Sequence, residues 1–212
     1  MADTLRSLLD AHGARLITSG VSDADSSLAW FVSHVTGKPR SWWRSRMNDD
    51  IASVLTADDR ERLAELVARR ARREPVQYLI GEADFRRLTL RVGPGVLIPR
   101  PETEEVAGCA IEAACGYEHP RVLDVGTGSG CIALAIADEV PGAEVIACDV
   151  SDTALGIARS NAERLGLRVA FHQADLLADV LDVPGMFDVI VSNPPYVAED
   201  EEASLEPEVR DH

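Results

Sequence analysis

Val122-Leu-Asp-Val-Gly-Thr-Gly-Ser-Gly130 is an apolar run carrying one carboxylate, followed by three glycines at alternate positions. Val122-Leu123 reads as a strand, and Cys131 to Glu139 reads as a helix, so the glycines fill the turn between them. Working outward, Glu144 to Cys148 is expected as a strand, Thr153 to Leu165 as a helix, Val169 to Phe171 as a strand, and Phe187 to Ser192 as another. Strands alternating with helices predict an α/β domain with a doubly wound, mostly parallel, Rossmann-like sheet. No internal repeat or low-complexity segment interrupts the pattern.

The glycine spacing narrows the ligand. Glycines let the chain turn sharply and let a ligand approach the backbone. The pattern is G-x-G-x-G: Cys131 stands where a dinucleotide fingerprint requires glycine, and no lysine follows as in a phosphate-binding P-loop. Asp124, just before the glycines, would repel a pyrophosphate but could hold an amino group or an ordered water. The next strand ends at Asp149, placed to accept both hydroxyls of a ribose, each charge-assisted bond worth roughly 1.5–3 kcal/mol. After the third strand, Asp175 could accept from an adenine amino group and Leu176 could pack on the ring. The loop residues Gly126, Thr127, Gly128, Ser129 and Gly130 complete the candidate cradle. A nucleoside with an amino-acid tail and no phosphates fits, and S-adenosyl-L-methionine, with S-adenosyl-L-homocysteine as product, is such a ligand. Its cationic sulfonium suits an acidic pocket. A tight strand–helix turn with no ligand is the bland alternative.

A second motif sits at the end of the last expected strand, Val189-Ile-Val-Ser-Asn-Pro-Pro-Tyr196. Two prolines stop the strand, because they lack an N–H and fix φ. The loop therefore lies at the carboxyl end of a strand, where open α/β sheets bind ligands. The amide oxygen of Asn193 and the carbonyl of Pro194 can accept the two N–H bonds of a planar NH2 group, and Tyr196 can stack on it. Such a group belongs to Asn, Gln, adenine or cytosine. A lone Asn-Pro-Pro could equally be an ordinary strand-ending turn.

The chain has 212 residues and a net charge of −15, unevenly spread. Residues 1–75 hold 12 Lys+Arg against 11 Asp+Glu, and the remainder holds 9 against 25. A catalytic part that acidic is a poor match for duplex nucleic acid, whose affinity comes largely from phosphate neutralisation. No apolar run is long enough for a membrane span, and the N-terminus lacks the layout of a signal peptide. A cytoplasmic, monomeric protein is expected. Cys109, Cys115, Cys131 and Cys148 are read as reduced core residues, with no metal site.

Residues 1–75 read as a helical bundle. Leu5, Leu8, Leu9, His12 and Leu16 recur at helical spacing, with His12 a partly packed residue rather than a ligand. Ser22 is an expected N-cap, Thr56 to Asp59 an expected capping box, and Pro75 an expected stop. The arginines at 69, 70, 72 and 73 suit a helix C-terminus or a partner-binding patch. Residues 76–100 are expected as a β-hairpin linker, with Leu88–Val92 turning at Gly93-Pro94-Gly95 into Val96–Ile98. Pro101 and its acidic neighbours then open a helix. Domain boundaries follow at 1–75, 76–100 and 101–212.

Asp124 to Gly130, Asp149 and Asn193 to Tyr196, in that order, resemble a class I methyltransferase of the amino-methylating kind. Pro75-Val-Gln-Tyr78, Gly81, Phe85 and Ile98-Pro-Arg-Pro-Glu-Thr-Glu104 resemble the peptide chain release factor glutamine methyltransferases over about residues 1–210. The resemblance implies N5-methylation of the glutamine in the Gly-Gly-Gln motif of release factors, which would be the protein partners. It implies cofactor binding by Gly126, Gly128 and Asp149, with Arg100 to Thr103 nearby, and a substrate amide held by Asn193, Pro194, Pro195 and Tyr196. Leu176 departs from the family, where an aromatic residue often follows the acid. The family fold continues past a point matching His212, so the sheet is expected to be incomplete at its C-terminal side. Glutamine methylation of a ribosomal protein, adenine-N6 methylation of nucleic acid and non-catalytic nucleoside binding stand as alternatives.

Overall fold

Apolar side chains three and four positions apart make the first eighty residues helical. In the computed structural model, which describes residues 3–175 and 186–194, the chain divides between Ile80 and Gly81 into two units. The first holds α1 (Leu5–Thr18), α2 (Ala24–Thr36), α3 (Arg40–Arg44), α4 (Ile51–Val54), α5 (Ala57–Arg70) and α6 (Val76–Ile80). Leu5, Leu16, Phe31, Leu63 and Val67 fill its core. The Thr56–Asp59 capping box is present at the start of α5. The N-cap of α2 is Asp23 rather than Ser22, and its carboxylate gives the helix no cap bond. It is committed instead to the Ser27 hydroxyl and, at 2.7 Å, to the guanidinium of buried Arg70. Helix α5 ends at Arg70, well before Pro75; Arg73 turns the chain with a left-handed φ of 69°.

The second unit opens with the antiparallel hairpin β1 (Glu82–Phe85) and β2 (Leu88–Arg91). The sequence pattern points instead to a hairpin turning at Gly93-Pro94-Gly95, whereas the chain turns at Arg86-Arg87 and forms no strand over Val96–Ile98. Leu88–Arg91 pairs with the segment before it, because Ala83, Phe85, Leu88 and Leu90 alternate and are buried together. Val96 and Ile98 are buried outside any strand. Flanking Pro94 and Pro99 have no N–H to give a ladder. Pro101 begins α7 (Pro101–Ala114) at its first turn, as its fixed φ favours.

The alternation read from the sequence then follows: β3 (Arg121–Val125), α8 (Cys131–Glu139), β4 (Glu144–Asp149), α9 (Asp152–Leu165), β5 (Ala170–Gln173) and β6 (Val189–Ser192). The four strands form a parallel sheet in the order β5-β4-β3-β6. The order reverses direction at β3, and open α/β sheets bind their ligands at such a switch point, by the carboxyl ends of the strands. Leu134, Ile136, Ala133 and Val122 pack into the core of this unit. Cys131 and Cys148 are buried, as read, but Cys109 and Cys115 are exposed on and after α7, whose buried stripe is Thr103, Ala107, Ala110 and Ala114. Among the described residues no helix is long and apolar enough to cross a membrane, and no group of three or more His, Cys, Asp or Glu could hold a metal ion.

Candidate active site

The register places the candidate residues side by side. Val125 at the end of β3 pairs with Cys148 on β4 and with Ser192 on β6. The next residue of each strand is therefore Gly126, Asp149 or Asn193, at one level. Parallel strands lie about 4.8 Å apart, so Asp149 and Asn193 flank the glycine loop roughly 10 Å from each other. On the far side of β4, Asp149 pairs with Gln173, and Asp175 follows two residues later.

The loop is tied down by its own backbone. The N–H groups of Gly126 and Thr127 donate to the Cys148 carbonyl at 2.9 and 3.0 Å. Gly128 N–H donates to Asp149 Oδ2 at 2.9 Å, and Ser151 N–H to Oδ1 at 2.9 Å. Each carboxylate oxygen of Asp149 thus accepts one bond and retains capacity for another. Gly126 and Gly128 take left-handed φ values of 73° and 56°, and a Cβ at either would meet nothing within 4 Å. Bare backbone faces open space there. Gly130 differs: at φ 83° its Cβ would lie 3.1 Å from both Ala158 Cβ and Leu134 Cδ1, so this glycine lets α8 and α9 close together.

Asp124 serves the loop itself. It is 1% exposed, and its Oδ2 accepts from the Thr127 hydroxyl at 2.6 Å and from Ala133 N–H at 3.2 Å. Burial outweighs these bonds and, with the nearby charge of Asp149, pushes its pKa up to about 6. Asp124, offered from sequence to a ligand amino group or an ordered water, meets these internal partners through Oδ2. Thr127 and Ser129 are likewise buried, and the Ser129 carbonyl accepts from Asn161 Nδ2 at 3.0 Å. Asn161 went unnoticed in the sequence. It is wholly buried in α9, and it also bonds both the N–H and the carbonyl of Arg91, locking the end of β2 to the glycine loop. Its signal was an asparagine, a poor helix former, among the alanines of an amphipathic helix.

The Methyltransferase small domain family matches residues 111–206, and the PrmC N-terminal domain family matches residues 7–81. The chain is 42% identical to the release factor glutamine methyltransferase of Streptomyces coelicolor over 93% of its own length and 68% of that protein's. It is 40% identical to the Deinococcus radiodurans protein of the same name, over 97% of this chain and 72% of that one. A Gloeobacter violaceus relative with that name is 47% identical over 93% and 68% of the two chains. The chain belongs to the release factor glutamine methyltransferase family.

The β6 end of this methyltransferase is anchored twice. The Ser192 hydroxyl donates to the Val125 carbonyl at 2.8 Å, and Asn193 Nδ2 donates to Thr103 Oγ1 at 2.9 Å. Thr103, expected near the cofactor, is buried in the first turn of α7 and meets Asn193 there. Arg100 is the exposed N-cap residue of the same helix, and its carbonyl accepts from Thr103 N–H. Pro194 is exposed beside Asn193. Asp175 is exposed after Ala174, whose N–H donates to the Asp149 carbonyl at 3.1 Å. Leu176, Pro195 and Tyr196 lie outside the described residues. A cavity of about 680 Å³ lies by Glu144 at the opposite end of β4 from Asp149, and takes no part in this site.

Proposed function

We propose that this enzyme transfers a methyl group from S-adenosylmethionine to the side-chain amide nitrogen of the glutamine in the Gly-Gly-Gln motif of peptide chain release factors. The observation that carries the reading is the strand order. Moving from β5 to β6, the sheet presents Asp175, Asp149, the open glycine loop and Asn193 in succession. That order follows the parts of an adenosyl amino acid, from base to ribose to sulfonium tail, and ends at an amide-holding group. The open space over Gly126 and Gly128 and the spare acceptor capacity of Asp149 fit such a ligand. The family supplies the substrate.

When bound, the cofactor supplies an electrophilic methyl on a sulfonium sulfur. The chain supplies position. An amide nitrogen is a poor nucleophile, because its lone pair is delocalised into the carbonyl. Asn193 Oδ1 and the Pro194 carbonyl accept the two N–H bonds of the substrate amide, orienting its nitrogen toward the methyl and raising its electron density. The reaction forms one N–C bond, breaks one S–C bond and releases one amide proton. That proton faces one of these two acceptors until water removes it. Tyr196 is assigned to confining the amide plane, and the N-terminal helices, residues 1–75, to recognising the release factor.

The test is a mass-spectrometric assay with S-adenosylmethionine and a purified release factor. The expected result is one added methyl on the Gly-Gly-Gln glutamine, lost with Asn193→Ala. Transfer to ribosomal protein or RNA in place of the release factor overturns the substrate.

A further inference from the structure

We propose that the cations around α3, Lys38, Arg40, Arg44 and Arg46, form the surface that docks the release factor, and that they meet a carboxylate-bearing face of that protein; the identity of the partner rests on the proposed reaction. The chain holds 36 Asp and Glu in 212 residues, yet none lies between Asp25 and Asp49. The four cations fall within that gap, from Lys38 to Arg46. Arg40 and Arg44 stand four residues apart in α3, so two like charges share one side of it and repel. Other arginines of the protein meet acids: Arg70 pairs with Asp23, Arg86 with Glu139 and Arg121 with Glu144. Among the described residues no carboxylate pairs with any of the four cations.

The arginines lie over indole rings instead. The guanidinium of Arg40 is 4.5 Å from the centre of the Trp30 ring, that of Arg46 is 4.4 Å from Trp42, and that of Arg44 is 5.9 Å from Trp43. Trp43 is the fixed point. It is buried, and its Nε1 donates to Ser33 Oγ on α2 at 3.1 Å, which anchors α3. Arginine stacks on rings through its flat side and binds carboxylates through the N–H donors in its plane, so ring contact leaves those donors available. Those of Arg40 and Arg44 meet no acceptor among the described residues. Ring contact also restricts these long side chains before docking, which lowers the entropy cost of pairing. The arrangement favours protein over nucleic acid. Single-stranded bases bind by stacking on aromatic faces, and Trp30 and Trp42 each already carry an arginine. The net charge of −15 also works against phosphate backbones. The arginines at 69 and 70 form no such surface, since each pairs with an acid of the same helical unit.

The test is titration calorimetry of release factor binding with S-adenosylhomocysteine present, at low and high salt. Arg40→Glu with Arg44→Glu reverses the centre of the patch. Arg62→Glu with Arg72→Glu makes the same change of charge at two exposed arginines of the same unit. The first pair should weaken binding about tenfold or more at low salt and by less at high salt, whereas the second should stay within about twofold of the wild type. In methyl-transfer assays the first pair should raise KM for the release factor by a similar factor, with kcat and cofactor Kd within about twofold. Arg40→Gln with Arg44→Gln serves if the reversed protein does not fold, and should weaken binding about threefold or more. Unchanged release factor affinity in these variants overturns the assignment, whether the patch then binds an RNA oligonucleotide in a gel shift or a second copy of the chain in sedimentation. An equal loss in the Arg62 and Arg72 pair overturns it too, because net charge rather than this surface would then govern docking. Patch-dependent binding without methyl transfer overturns the proposed reaction and leaves the surface standing. Methyl transfer with an affinity indifferent to the patch does the reverse.

Discussion

Replacing Gly128 and Gly130 separately by alanine divides the glycine loop into a part that meets a ligand and a part that packs the fold. At Gly128 the new Cβ touches nothing within 4 Å, so the only cost to the free protein is a left-handed backbone at φ 56°. For an L-residue that is roughly 1–2 kcal/mol. In a chain of this size it lowers Tm by about 2–8 °C. At Gly130 the same backbone cost applies at φ 83°, and the Cβ also lands 3.1 Å from Ala158 Cβ and Leu134 Cδ1. Both neighbours are buried, Ala158 on α9 and Leu134 on α8. Overpacking of this kind adds about 1–3 kcal/mol, so Gly130→Ala should cost roughly 2–5 kcal/mol in total.

Binding should separate the two in the opposite sense. The Cβ of Gly128→Ala projects into the space assigned to the cofactor, so S-adenosylmethionine affinity should fall about tenfold or more, each tenfold being about 1.4 kcal/mol. Denaturant unfolding without cofactor gives the first quantity and titration calorimetry with S-adenosylmethionine the second. Gly128→Ala binding the cofactor as tightly as the wild type would refute the proposed approach to the loop. Equal stability losses in the two variants would refute the packing role of Gly130.

Asn193→Ala should lower kcat roughly a hundredfold, about 3 kcal/mol in the barrier, with cofactor affinity nearly unchanged in the same assays. Asp149→Asn should weaken S-adenosylmethionine binding about tenfold or more by calorimetry, since an amide supplies only one accepting atom where the proposed ribose contact uses two. The raised pKa of Asp124, about 6 against an ordinary 3.8, means that the folded state holds this proton more tightly than the unfolded state. Its contribution is full below about pH 4 and lost as pH rises through 6, on the order of 3 kcal/mol. The stability of Asp124→Asn relative to the wild type, measured by urea unfolding, should therefore improve between pH 4 and 7. Arg70→Ala removes a buried guanidinium from Asp23, Ser27 and the Glu74 carbonyl and should cost about 3 kcal/mol in urea unfolding, whereas exposed Arg72→Ala should change stability by less than about 0.5 kcal/mol.

The helix Cys131–Glu139 was legible residue for residue, because a glycine turn precedes it and its apolar positions leave no other reading. The hairpin was not. Its turn is Arg86-Arg87, without the glycine, asparagine or proline that marks a turn. Arg86 holds a left-handed φ of 52° through partners distant in sequence: its N–H donates to Glu104, and its guanidinium pairs with Glu139 at 2.6 and 3.0 Å. Gly93-Pro94-Gly95, which looked like the hairpin turn, answers a different need. Gly95 has φ 103°, and a Cβ there would come within 3.0 Å of Thr153 Cγ2. Composition marks Gly93-Pro94-Gly95 as a turn, and only packing separates a turn from a close approach. The arginines at 69 and 70 were ambiguous for a similar reason: Arg69 pairs with Glu74, and Arg70 turns inward to Asp23.

Asp124 and Asp149 show why strand register, more than residue type, assigns the roles at this site. Asp124 pairs with Ala147 on β4, and Asp149 stands two residues beyond Ala147. With a side-chain period of two, both carboxylates leave the same face of the sheet, separated along the strand by roughly 6.6 Å. That one step decides their chemistry. The deeper carboxylate lies under the glycine loop, where it has no contact with bulk water and meets Thr127 and Ala133. The shallower one lies at the rim, where Gly128 and Ser151 hold it by one bond per oxygen. Moving either aspartate by a single residue would turn it to the opposite face, so neither could take the other's place by sliding along its strand. The loop has one acid beneath it, bonded to Thr127 and Ala133, and one beside it with accepting capacity left on each oxygen.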